Sequence, residues 1–576
     1  MDIAAATGRA RPLSRNRARI RSFVVGAALA SAPAAVASDG GFLQATYFGG
    51  GGQEQARKCV YEGASGDIIC VGGTTAGRVP GTAGGAQPNP AGLGDGWVAR
   101  LSGDLTTVRQ ATYIGGSNPD GAHAIAVDPV SGDIIVAGMT SSSNLPGTAA
   151  GAQTQSGGDT DVFVARFSSD LRTLRVATYL GGSGSELSNV LGVAIEPGSG
   201  SILLAGATSS TNFPGTQGGA FGTASGSFVA RLSGDLSTLG QASYVNTVPT
   251  LITDLLVHPI TGDIIVAGRS SYPAGRQTGL IMAFAPDLRS MHAKLDIGDV
   301  GYTVVWALVF DPTSGDLIAA GDVNSSLGAA SADGAQPNYG GGGDAFVARV
   351  SGDLSTVRRA TYLGGSGIEQ GFGVALHATG DIFLAGATYG AMLPGVAGGA
   401  QSERRGATDA YVARFTGDLT LLRQSTLAGG AREDNGYWLD ASESGELLLS
   451  GYTESADFPA TAGGAQSMID SGISGHTAGF ALRLDAGLTG GPATPTPTPT
   501  APPATATTTP STPVGVCVGD CNGNREVAVN ELITGVNIAL DQAPLSACPS
   551  FDASGDGGVA VNELISAVSN ALNGCG

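Results

Sequence analysis

The chain has 576 residues, with 93 glycines, 42% hydrophobic but only 6% aromatic residues, and a formal charge of −19 at pH 7. Such a length exceeds what one core ordinarily fills, and the hydrophobic share excludes wholesale disorder. Glycine at more than twice its usual frequency, with few aromatics, reads as all-β with many turns, and the acidity disfavours nucleic acid and anionic membrane as partners.

Residues 1–37 read as a secretory signal peptide. Arg9, Arg11, Arg15, Arg17, Arg19 and Arg21 form a basic opening, Phe23–Ala30 begins a short apolar run, and Ala35-Val36-Ala37 offers a cleavage site before Ser38. The run is too short and alanine-rich to span a bilayer well, although a retained anchor is the competing reading. Cleavage removes six Arg and one Asp, taking the charge from −19 to −24. No later segment has the length of a membrane span, so the expected mature protein is secreted, extracellular or on the cell surface.

Residues 38–486 carry an internal repeat. A segment like SGDLSTVRRATYLGGS recurs, its ATY-like element beginning at Ala45, Ala111, Ala177, Ala242, Ala293, Ala360 and Ser425. Each unit breaks into four short β-like runs, such as HAIAVDP, GDIIVAG, DVFVARF and RVATYLGG in the second, bounded by Gly, Asp, Pro or Ser. Seven such units predict a seven-bladed β-propeller. The array opens with a fourth-strand run, FLQATYFGG, and ends with a third-strand run, GFALRLD, so the first run is expected to complete the last blade. The unit spanning about Leu251 to Phe284 lacks the long loop of the others. Antiparallel order puts the long loops on one face, where any binding site is expected, and the tight SGD turns on the other.

The loop-and-strand segments NLPGTAAGAQ…GGDTDVFVARF from Asn144 and MLPGVAGGAQ…GATDAYVARF from Met392 resemble the bacterial beta-propeller repeat family known as SBBP, which implies the fold and little about ligand. Arg100, Arg166, Arg231, Arg349, Arg414 and Arg483 share one place in the third strand, and their repetition predicts scaffolding through turn acids such as Asp104, Asp170 or Asp353. Cys59 and Cys70 fall opposite each other on adjacent strands and are expected to form a disulfide. His258 and His377 sit beside hairpin turns and read as exposed. No catalytic sequence motif is present, and Glu186, Asp299 and Glu369 read as solvated loop acids.

Residues 487–515 form a Thr/Pro-rich linker, an extended spacer. Residues 516–576 contain two copies of a loop followed by VAVNELI. Each fits the twelve-residue EF-hand loop, whose oxygen ligands occupy fixed positions because calcium is a hard cation taking six to eight oxygens. The first set is Asp520, Asn522, Asn524, the Glu526 carbonyl and Glu531; the second is Asp552, Ser554, Asp556, the Gly558 carbonyl and Glu563. Arg525 stands where the loop needs glycine, and the first loop has fewer carboxylates, so the second site is predicted to bind calcium more tightly. A single helix after each loop resembles dockerin modules, which implies a cohesin-like partner, although Val529-Asn530 and Val561-Asn562 replace the Ser/Thr pair of many dockerins. Cys517, Cys521, Cys548 and Cys575 would staple this small module in one of three pairings.

The sequence thus predicts a mainly β protein, a seven-bladed β-propeller with a small α-helical calcium-binding C-terminal domain. Its expected role is that of an exported, non-catalytic binding or scaffold protein, with a glycan, a cell-surface component or a cohesin-like protein as partner. The alternative is a secreted carbohydrate-active enzyme degrading polysaccharide, with its active site on the long-loop face.

Overall fold

The computed structural model describes residues 41–490, apart from 64, 187–191, 223–225, 246–249, 273–274, 299–300, 391–392 and 470–475, together with 517–522, 527–539, 543–552, 559, 564, 566–568 and 570–571. The chain divides into two compact units, Met1–Thr494 and Pro495–Gly576.

The first unit is a ring of seven four-stranded antiparallel sheets. Blades one to six occupy 55–114, 120–180, 192–244, 250–297, 303–363 and 369–428. Blade seven takes three strands from 434–484 and its outermost from Phe42–Gly52, which pairs antiparallel with Thr477–Leu484 and sets Tyr47 opposite Phe480. The expected closure is therefore present, and no blade edge is left to a missing partner there. First strands of successive blades touch one another and form the inner wall of an axial channel. Second and third strands supply the apolar layers between blades, rich in Ile, Val, Leu and Ala with no exposure.

The turn that follows the third strand has one conformation in every blade. Its leucine (Leu105, Leu171, Leu236, Leu288, Leu354, Leu419 or Leu488) has φ between 58° and 62°. A branched side chain in this left-handed region is strained. Burial of each leucine offsets that cost, and so does the use made of its carbonyl. The Ala86 N–H of blade one donates to the Leu171 carbonyl of blade two at 2.9 Å, and Ala152, Ala220, Ala335, Ala400 and Ala465 repeat the bond to Leu236, Leu288, Leu419, Leu488 and Leu105.

The recurring arginine is a scaffold residue, but its acids are not those of the following turn. Arg166 pairs with Asp133 at 2.8 Å and Asp128 at 2.6 Å, both at the turn between first and second strands, and donates to the Gly234 carbonyl of the next blade at 2.7 Å. Asp170 instead holds its own turn, accepting from the Ser168 hydroxyl and the Arg172 N–H. The short fourth unit is a blade with a tight second hairpin, in which Tyr272 N–H bonds the Arg276 carbonyl.

Cys59 and Cys70 are paired in register and bridged. His258 differs from expectation: it is 9% exposed, its ring lies against Phe310, and its Nδ1 accepts the N–H groups of Ile260 and Thr261. The imidazole thereby replaces the turn carboxylate that Asp128 supplies in blade two.

The second unit contributes the helix Val529–Ala539, which follows the first loop, and a small core of Ile538, Cys548, Phe551 and Ala567. Cys521 is bridged to Cys548, and Cys517 is also disulfide-bonded.

Candidate functional site: the channel collar

The six fully described first strands, those of blades one, two and four to seven, all show the same irregularity, each with a different side chain. In each, one extra residue interrupts pairing with the second strand: Arg57, His123, Thr253, Trp306, Phe372 and Tyr437. Bulges turn a side chain out of the pleat. Here they stand on the channel wall, and their identities change from blade to blade while the flanking framework does not. In a repeat protein, positions that the units share serve the scaffold, and channel positions where they diverge are candidates for function.

Three consecutive bulges carry aromatic rings in contact. Trp306 meets Phe372 edge-on with centroids 5.6 Å apart, Phe372 meets Tyr437 at 5.8 Å, and the Arg57 guanidinium lies 5.2 Å from the centre of Tyr437. Tyr452 extends the arc behind Tyr437 at 5.6 Å. Edge-to-face rings and a cation over a ring face are each favourable, and together they fix the arc. Burial draws the Arg57 pKa down, while Tyr437 and Tyr452 oppose it.

Asp322 orients one end of the arc. Its Oδ2 accepts the Trp306 indole N–H at 2.8 Å and its Oδ1 the Gly371 N–H at 2.9 Å. Burial pushes this carboxyl up to about 7, against the lowering effect of those bonds.

One residue further along the strands, Lys58 reaches the neighbouring first strand of blade seven. Its ammonium lies 3.5 Å from the centre of the Trp438 ring. Burial lowers its pKa, with Asp254 and Asp440 pulling it back up. Asp254 is itself tied across a joint, accepting the N–H groups of Leu255 and of Leu308 in the next blade. A cavity of about 740 Å³ reaches the Lys58–Trp438 pair from the tight-turn face, lined by Lys58, Tyr61, Asp128, Val130, Trp438 and Asp440. Concave space is therefore not confined to the long-loop face. The notches of about 270 and 300 Å³ on that face, beside Tyr113 and Tyr179, repeat from one joint to the next and follow from packing.

The acids read as solvated are not: Glu186 and Glu369 have no exposure, and Asp299 lies outside the described residues. Among the described residues no three His, Cys, Asp or Glu side chains gather as a metal cluster.

In the C-terminal unit the first predicted calcium loop brings three of its residues close. Glu531 is 4% exposed and folds back, its Oε1 accepting the Asn522 amide at 2.8 Å and the Cys521 N–H at 3.0 Å, while Oε2 accepts the Ala528 N–H. The Asn522 N–H donates to Asp520 Oδ1. A buried carboxylate at the loop's last position, folded back onto its second and third residues, is where an EF-hand loop places its final oxygen ligand. Asn524, Glu526, Ser554, Asp556, Gly558 and Glu563 lie outside the described residues, so of the second set Asp552 alone is described.

No protein-family model matches the chain, and no curated protein matches it. Among solved structures it is similar to a protein of unknown function from Dyadobacter fermentans DSM 18053, at 10% identity and a TM-score of 0.35, over 77% of this chain and 98% of that one.

Proposed function

We propose that the chain is an exported, non-catalytic binding protein whose propeller takes a glycan at the channel collar and whose C-terminal module binds calcium and docks to a cohesin-like partner. The observation that carries the first part is the arc Trp306–Phe372–Tyr437–Arg57, built on bulges where the blades differ. Flat apolar faces beside a few hydrogen-bonding groups suit sugar rings, which present an apolar face and a rim of hydroxyls. The SBBP-like repeats and the dockerin-like loops support the same reading, as does the disulfide content, which fits an oxidising compartment.

Asp322, with its raised pKa, favours the rival carbohydrate-active enzyme as a general acid. Both of its oxygens are engaged in holding Trp306 and Gly371, which supports a positioning role instead.

A glycan array and a glycosidase screen with the mature chain test the proposal. Binding to one glycan class that Tyr437→Ala and Phe372→Ala both abolish is the expected result. Turnover of any polysaccharide, or binding indifferent to both substitutions, overturns it. For the C-terminal module, Glu563→Gln is expected to cost more calcium affinity than Glu531→Gln.

A further inference from the structure

We propose that the joint between blades two and three holds a calcium ion, separate from the collar and from the C-terminal loops. At four joints the residue heading the third strand of one blade and the residue entering the next blade are both acids: Asp95 with Asp120, Asp161 with Glu186, Asp344 with Glu369, and Asp409 with Asp434. Seven of these eight have no exposure, and Asp120 has 8%.

Each acid is anchored through at least one oxygen, and Glu369 through both, Oε2 accepting the Gly365 N–H and Oε1 the Thr388 hydroxyl. Asp95, Asp161 and Asp344 accept, through Oδ2, the N–H groups of Ala91, Gly157 and Gly340. Asp120 Oδ2 takes the Gly116 N–H and the Ser142 hydroxyl, and Glu186 Oε1 takes the Thr208 and Ser210 hydroxyls. The remaining oxygens, Oδ1 of Asp95, Asp120, Asp161 and Asp344 and Oε2 of Glu186, are buried with no hydrogen-bond partner.

At three joints the two acids of a pair approach one glycine. A Cβ on Gly181 would sit 2.1 Å from Asp161 Oδ1 and 2.3 Å from Glu186 Oε2. One on Gly115 would sit 2.2 Å from Asp95 Oδ1 and 2.9 Å from the already anchored Asp120 Oδ2, and one on Gly364 2.6 Å from Asp344 Oδ1 and 2.8 Å from Glu369 Oε2, which the Gly365 N–H holds. The first glycine of the recurring Gly-Gly pair keeps that space clear.

Two buried carboxylates facing across a few ångströms repel strongly unless something positive lies between them. The other joints show that the acids are linked. Thr278 and Thr303 replace both at the joint of blades four and five, and Gly226 and Thr250 replace both at the joint of blades three and four. Glu54, facing Ala478, stands alone and has both oxygens satisfied, by Gly50 and Gly52 N–H groups and the Thr74 hydroxyl. Asp409 and Asp434 likewise have every oxygen occupied, and so has Glu369, which leaves Asp161 with Glu186 as the pair whose facing oxygens are both unpartnered. Acids that come and go together, with unpartnered oxygens aimed at a glycine-lined space, form the all-oxygen beginnings of a hard-cation site, to which loop carbonyls and water add the rest. A proton shared by each pair is the other way to relieve the repulsion.

The test uses the full mature chain carrying Glu531→Gln and Glu563→Gln, which silences the C-terminal loops. Equilibrium dialysis is expected to find one calcium per chain, and calcium is expected to raise the melting temperature at pH 7 relative to chelator. Asp161→Asn should remove one ion, and so should Gly181→Ala, which fills the space and spares both acids. Terbium luminescence on the parent chain gives a readout that needs no further variant to fold. No bound calcium, with a melting temperature indifferent to calcium but rising as the pH falls, would show the shared proton and overturn the proposal.

Discussion

The joint between blades two and three and the joint between blades four and five solve one packing problem with different residues. The former is fastened at its rim, by Arg166 reaching Gly234 and by Ala152 reaching the strained Leu236. At the latter, Ala283 stands where the other blades have arginine, and among the described residues nothing bonds the Leu354 carbonyl as Ala152 bonds Leu236. Its polar ties lie at the axis instead, where Thr253 donates to the Val305 carbonyl at 2.6 Å and Asp254 accepts from Leu308. A fold built from repeats can therefore lose its outer fastening at one joint, provided that an inner residue takes over the connection.

The most damaging way to break this contrast is Asp254→Ala. It removes the axial tie and leaves Lys58 facing a buried site with one acid fewer, at a cost of about 3–5 kcal/mol, readable by urea denaturation. Arg166→Ala follows, at about 2–3 kcal/mol, since Asp128 and Asp133 lose the cation they share; a smaller loss than for Asp254→Ala would confirm that a rim tie is one of several. A pH series comes next. Asp322 keeps its proton up to about pH 7 in the fold, whereas in the unfolded chain it ionises above about 4. Between these values the folded state binds more protons, so stability falls as pH rises, and Asp322→Asn should flatten that part of the curve. The smallest effect runs the other way. Ala283→Arg places a guanidinium beside Asp263, now paired with His292 at 3.0 Å, and should stabilise by up to about 1 kcal/mol.

The strands and their closure were legible because the repeats are long, apolar and in phase, and because a lone fourth-strand run at one end complements a missing one at the other. The arginine's role was legible but its partners were not. Nearness in sequence pointed to Asp104, while the pairing that sets Arg100 opposite Ile69 brings it to Asp67 and Glu62 across the hairpin. The collar could not be read, because a bulge shifts the alternation of faces by one residue and leaves no mark in the sequence. Comparing units by what they share also discards Arg57, Trp306, Phe372 and Tyr437, whose significance lies in being different. Glu186 and Glu369 sit among glycines and serines that look solvated, and only the meeting of two blades buries them.

The strand Phe42–Gly52 has a further consequence for how the molecule comes into being. The Tyr47 hydroxyl bonds the Ser455 carbonyl, 408 residues along the chain, so this strand is synthesised long before its partner and is among the last to find its place. Loop closure over that distance is slow. Until the other end emerges, a sticky ribbon of backbone amides waits without a mate, and any chaperone that guards this chain would have its longest watch at residue 42.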